Sequence, residues 1–93
     1  MNPTEKEILD ILQEECAEVI VAVSKISRFG LDNFKPGKPL TNRQHLAEEF
    51  GDLQAMIDLC IDHNLVDKEE VLTATRNKIA KLKLWSNIFN ESV

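Results

Sequence analysis

Four carboxylates stand out by type and spacing. Glu15 and Glu18 are three residues apart, and so are Glu49 and Asp52. Stepping each residue 100° around a helix places Glu15 just inside the edge of an apolar stripe centred on Leu12, Val19 and Val23. Its neighbours there are Ile8, Ile11, Leu12, Val19 and Ala22, and Glu18 lies about 60° further round, beside Ile11 and Ala22. Glu14 points more towards solvent. A second stripe centres on Leu46, Phe50 and Ile57, with Glu49 at its margin near Met56 and Cys60. Asp52 sits about 60° away from Glu49, near Leu59. A carboxylate taken out of water without a partner either costs heavily in free energy or shifts its pKa to become neutral. Four converging on one place would also repel one another. One or two divalent cations resolve the conflict, and an all-oxygen donor set selects a hard ion, Mg²⁺ with Mn²⁺ as a substitute. A di-iron bundle would carry Glu-x-x-His pairs instead. The competing reading makes these acids flanking charges with salt-bridge partners, since paired acids at this spacing are common on helices.

The elements that must position them are helices. Pro3-Thr4-Glu5 opens a helix well, with proline in the first turn and an acid near the positive end of the dipole. The spacing of Ile8, Ile11, Leu12, Cys16, Val19, Ile20, Val23 and Ile26 carries it from about residue 4 to 28, and Gly30 stops it. Gly30, Pro36, Gly37 and Pro39 cluster in one stretch, the only evident long loop. Thr41 or Asn42 can cap a second helix that ends near His63-Asn64, and Asp67 with Glu70 makes a capping-box pattern for a third, expected to reach about residue 89. No segment alternates with period two. The expected class is all-α: one domain over 1–93, three long helices per chain, with four-helix-bundle cores completed by homo-oligomerisation.

Size and charge bound what such a chain does. Ninety-three residues make one domain at most, and a domain this small buries a thin core of its own. Apolar residues at 43% and charged residues at 29% argue against disorder. A net charge of −5 disfavours nucleic acid and anionic membranes as partners. No apolar run approaches a membrane span, and Met1-Asn2-Pro3-Thr4-Glu5 has no signal-peptide character, so a cytoplasmic protein is expected. Cys16 and Cys60 form no metal-type pair and read as two reduced, buried thiols.

At the carboxylates the sequence resembles a known family. Glu14-Glu15-Cys16-Ala17-Glu18 fits an EExxE element, and Glu48-Glu49-Phe50-Gly51-Asp52 fits an ExxD element. Two such elements on successive helices, separated by a loop, resemble the MazG-like all-α nucleoside triphosphate pyrophosphohydrolases. The resemblance covers about Ile8 to Trp85, and Ser24-Lys25-Ile26-Ser27-Arg28-Phe29-Gly30 is similar to the small, often phage-encoded members. It implies hydrolysis of a (d)NTP between the α- and β-phosphates, giving (d)NMP and pyrophosphate, in a bacterial or phage-infected cytoplasm. It implies Mg²⁺ held by Glu15, Glu18, Glu49 and Asp52, dimers or tetramers, and Glu14 as a supporting group or orienter of the attacking water. No serine or cysteine nucleophile and no P-loop is present, so attack by water activated by the metal is the simplest mechanism.

Other residues are candidates to hold the substrate. Lys25 follows Glu18 by seven residues on the same face, and Arg28 lies near the loop. Both are within reach of a triphosphate, and both also suit the negative end of the helix dipole. In helix 3, Lys78, Lys81 and Trp85 share an edge, where the family has a comparable lysine-rich patch for phosphates. Trp85 is a candidate to stack on a base, although an aromatic at helical spacing more often belongs to a core or dimer interface. His45, one turn before Glu49 on the same face, is within reach of substrate, but a lone histidine near a helix start is more often a polar surface or capping group. The loop from Asp32 to Leu40, with Asn33, Phe34, Lys35 and Lys38, is a candidate lid over the nucleotide. The rival functions are hydrolysis of an alarmone or modified nucleotide, and a non-enzymatic helical interaction module.

Overall fold

Each helix begins at a side chain that accepts the first free backbone N–H groups. Asn2 Oδ1 accepts from Glu5 N–H at 2.8 Å while Glu5 Oε1 accepts from Asn2 N–H at 3.1 Å, so the first helix has a reciprocal cap. Thr41 and Gln44 make the same exchange at the second helix, with distances of 3.2 and 2.9 Å. Asp67 accepts from Glu70 N–H at 3.0 Å at the third. Such a cap stabilises a helix by about 1 kcal/mol. The computed structural model describes residues 1–90. It contains α1 (Pro3–Phe29), α2 (Asn42–Asp62) and α3 (Lys68–Trp85), and no strand among the described residues. The chain is all-helical, as the periodicity requires.

The helix ends are equally local in origin. Gly30 closes α1 at φ 92°, and its N–H bonds Ile26 O at 2.8 Å. At the end of α2, Asn64 takes the left-handed conformation, φ 57°. Its N–H reaches Ile61 O at 3.0 Å and Leu65 N–H reaches Cys60 O at 2.8 Å. This is a Schellman motif with asparagine in the usual glycine position, and Leu65 supplies its apolar contact by packing on Ile8, Met56 and Cys60. Helix α3 stops earlier than its periodicity suggests. Ser86 turns its hydroxyl back onto Leu82 O at 2.7 Å, leaving Phe89 outside the helix.

Tertiary packing joins α1 to α2 as an antiparallel hairpin, and α3 packs to a significant extent on neither. The buried core is small: Ile8, Met56 and Cys60 at the end remote from the loop, flanked by Leu9, Leu12 and Leu65, with Ala22 buried nearer the loop. The inward face of α1 runs through Ile8, Leu12, Glu15, Val19, Ala22 and Ile26. That of α2 runs through Leu46, Glu49, Leu53, Met56 and Cys60. Both faces are rotated from the stripe centres the sequence suggests, because Val23 is 48% and Phe50 54% exposed. The rotation moves Glu15 and Glu49 from the margins into the packed seam.

The cysteines divide. Cys60 is buried, as expected, but Cys16 is exposed, because it falls on the outer side of α1. Under native conditions a thiol reagent should therefore label Cys16 quickly and Cys60 only when the helices open. Equal rates at both positions, read by mass spectrometry, would contradict this packing.

Candidate functional site

The α1–α2 seam carries apolar residues at one end and charge in its middle. Oxygens of Glu15, Glu49 and Asp52 all lie within 4.8 Å of one another. Antiparallel pairing produces this arrangement. Glu15 enters from α1, while Glu49 and Asp52, three residues apart, enter from adjacent turns of α2. Only 12% of the Glu49 side chain is exposed. Its Oε1 lies 3.2 Å from His45 Nε2, and its Oε2 is buried with no hydrogen-bond partner among the described residues.

Electrostatics at this cluster are unfavourable in the bare protein. The Glu15 carboxyl is pushed above its ordinary value, first by desolvation and then by the charges of Asp52, Glu49, Glu18 and Glu14. No lysine or arginine pairs with any of these acids among the described residues. Their partner in the protein is one histidine on the near side of Glu49. The fit to a hard divalent ion is good in kind: three carboxylates from two rigid helices, one with an orphaned buried oxygen. Ligand oxygens about 2.1 Å from Mg²⁺ stand at most about 4.2 Å apart. The cluster is thus slightly open, within the range of small side-chain rotations.

Not every expected ligand converges. Glu18 is exposed and outside the trio, although its charge is close enough to act on Glu15. Glu14 is exposed as well and is the weakest of the charges acting on Glu15. The inward rotation that buries Glu15 turns both towards the rim.

A second feature lies towards the loop. A pocket of about 750 Å³ is lined by Lys25 and Arg28 from α1, Phe34, Lys35 and Lys38 from the loop, and His45 from α2. Its frame is fixed at several points. Lys35-Pro36-Gly37-Lys38 forms a type II turn, with Lys38 N–H on Lys35 O at 2.9 Å and Gly37 at φ 82°, where glycine is favoured. Asn42 N–H bonds Asn33 O at 2.8 Å, and Arg43 N–H bonds Leu31 O at 2.9 Å. Asn42 Nδ2 donates to Gly30 O at 2.9 Å. Arg43 forks onto both oxygens of Asp32 at 3.1 and 3.2 Å. The segment expected to be a lid is thus tied to the start of α2 at its N-terminal end, through Gly30, Leu31, Asp32 and Asn33.

His45 joins the two features, touching Glu49 and lining the pocket. Its four-residue spacing from Glu49 puts the two on one face, and the structure makes it a partner of Glu49 rather than a cap. Lys78, Lys81 and Trp85 stand exposed on α3, and one chain alone does not pack that helix against the carboxylates. Lys25 and Arg28 do converge, on the pocket. Among the described residues, no helix is long and apolar enough to cross a membrane. Comparison with known proteins gives no matching family model, no matching curated relative and no matching solved structure.

The raised Glu15 pKa carries a sign. The ionised carboxylate is the form that folding disfavours, so Glu15 weakens the metal-free fold at neutral pH. That burden lifts as pH falls through its raised pKa towards the ordinary 4.5. In EDTA at neutral pH, Glu15→Gln should melt higher than wild type and lose the gain that wild type shows on mild acidification. Added Mg²⁺ should raise the wild-type melting temperature and leave Glu15→Gln nearly unmoved. Equal Mg²⁺ stabilisation of both proteins would remove Glu15 from the ion site.

Proposed function

We propose that the chain is a Mg²⁺-dependent nucleoside triphosphate pyrophosphohydrolase of the MazG-like kind. The observation that carries this reading is the buried, unpartnered Oε2 of Glu49 in a cluster with Glu15 and Asp52. A fold does not keep such repulsion at its seam for stability. A cation that binds the folded chain turns the repulsion into binding energy.

In this reading Glu15, Glu49 and Asp52 hold Mg²⁺ or Mn²⁺, with Glu18 at the rim of the same site. The ion supplies charge neutralisation and polarisation at the α-phosphate. Water oxygen attacks the α-phosphorus, the bond to the α–β bridging oxygen breaks, and pyrophosphate leaves with that oxygen. The proton released by the water passes to a carboxylate at the site, with Glu14 and Glu18 the acids free at the rim. His45 keeps Glu49 in one rotamer. Lys25 and Arg28 draw the anionic substrate to an otherwise acidic protein.

The active form is proposed to be a homodimer or larger. The Cα radius of gyration is 16.5 Å, against about 12 Å for a compact chain of this length. Helix α3 has no buried residue, and Leu72, Ile79, Leu84 and Trp85 are exposed on it. A second copy that covers α3 would complete a four-helix core, and is the route by which Lys78 and Lys81 would reach a phosphate. The cytoplasm of a bacterial or phage-infected cell is the proposed setting.

Glu49→Gln should remove turnover by at least about 10²-fold, the scale of losing a group that acts on the transition state, while the helical circular dichroism stays. The assay is pyrophosphate release from the common NTPs and dNTPs with Mg²⁺, and with EDTA as the blank. Full activity in Glu49→Gln would sink the assignment. Metal binding without turnover on any of these nucleotides would redirect it to an alarmone or modified nucleotide, and neither binding nor turnover would favour the interaction module.

A further inference from the structure

We infer that the pocket between the end of α1 and the 33–40 loop holds the nucleoside end of the substrate. In this orientation the base stacks on Phe34, and Lys25 and Arg28 guide the phosphate tail towards the carboxylates. The inference rests on the nucleotide reading above and adds to it which end of the molecule goes where.

Charge is the first argument. The chain has 16 acidic residues against 11 lysines and arginines. Yet Lys25, Arg28, Lys35 and Lys38 all line this one pocket, and no carboxylate lines it among the described residues. None of the four is in an ion pair with a described residue. Four cations gathered without a counter-charge on an acidic protein mark a site for an anion.

The walls are the second argument. Phe29, Phe34, Pro36, Pro39 and Leu40 line the same pocket. A bare phosphate chain is strongly hydrated and gains nothing from such walls. A ligand with a flat apolar ring and an anionic tail uses both. The two aromatic rings are not equivalent. Arg28 already lies over the Phe29 ring, 4.9 Å from its centroid, whereas no such cation among the described residues covers Phe34, which is 56% exposed. Phe34 is therefore the ring with a face to offer a base.

Preorganisation is the third. The type II turn and the ties of Asn33 and Leu31 to α2 hold Phe34 and both loop lysines before any ligand arrives. The same ties use the backbone donors at the start of α2. Asn42 and Arg43 N–H bond the loop, and Gln44 N–H bonds the Thr41 cap. Those amides are not available to a phosphate, so the side-chain cations must meet it.

Direction follows from the helices. Lys25 stands ten residues beyond Glu15 on α1, about 15 Å along the axis. His45 precedes Glu49 by one turn and lines the pocket. A nucleotide with its base on Phe34 thus points its phosphates up the seam, past Lys25 and His45, towards Glu15, Glu49 and Asp52.

The test is binding of nucleoside monophosphates, ribose 5-phosphate and inorganic phosphate to the full chain in EDTA, followed by amide chemical shifts. Monophosphates should bind with shifts centred on Phe34, Lys25 and His45, and about tenfold or more tighter than ribose 5-phosphate. Phe34→Ala should weaken the monophosphates about tenfold and leave ribose 5-phosphate unchanged, the size expected for one base stack. Phe34→Leu, which keeps apolar bulk without a ring, should behave like Phe34→Ala and guards against a folding artefact. Equal binding of monophosphate and ribose 5-phosphate, or insensitivity to both substitutions, would overturn the inference. EDTA separates this outcome from the activity itself. Triphosphate hydrolysis with an unchanged KM in Phe34→Ala would defeat the pocket alone. Monophosphate binding at Phe34 in a protein that hydrolyses no triphosphate would defeat the activity alone.

Discussion

Like charges across a packed seam set the terms for this molecule. Two antiparallel helices bring Glu15 against Glu49 and Asp52, in the middle of the only extensive helix–helix contact among the described residues. Coulomb repulsion over a few ångströms, in a partly desolvated place, works directly against that contact. The hairpin tolerates it because each end is secured independently. At one end Ile8, Met56, Cys60 and Leu65 form an apolar plug, and at the other the loop is tied to the first turn of α2. The strain is thus confined to the middle, where a cation can enter from the rim that Asp52 and Glu18 occupy. In the reading proposed above, metal affinity and fold stability are opposite sides of one interaction.

The same geometry explains the order of features along the seam. Apolar burial, carboxylates, histidine and cationic pocket succeed one another from Ile8 and Cys60 to the loop. Each step is one or two turns of two helices held in register, so helix rise sets the distance between the acidic and basic regions. On the proposed reading, an anion with one end in the basic pocket is led along the seam, and the acidic surface adds selectivity by repelling the anions that the pocket attracts.

Much of this was legible in the residues, for physical reasons that differ from place to place. The three helices and their caps are local matters. Thr41, Asp67 and Gly30 act on neighbours within four residues, so the sequence suffices to find them. The acid pairs were legible because helical spacing is fixed. The rotation of the inward faces was not, since α1 carries apolar residues on two sides. Ile20, Val21 and Val23 are exposed in the single chain, while Ile8 and Ala22 are buried. Periodicity sums both sides and points between them. It therefore placed Cys16 inside and Glu15 at an edge, where packing on α2 does the reverse. The end of α3 escaped because Ser86 competes for a backbone carbonyl, a choice that apolar spacing does not record. Spacing alone puts His45 on the Glu49 face, but the burial of the second Glu49 oxygen, which gives that contact its weight, comes from tertiary packing.

The central claim is that this carboxylate cluster is a cation site rather than an acidic patch. Mn²⁺ titrated at substoichiometric levels, with amide signals recorded by NMR, tests it most directly, because the ion broadens nuclei by distance. The account predicts that signals around Glu15, Glu49 and Asp52 vanish first, that those of α3 persist, and that Mg²⁺ in excess restores the spectrum. Broadening spread evenly over the acidic surface, or strongest at the Glu69-Glu70 end of α3, would contradict it.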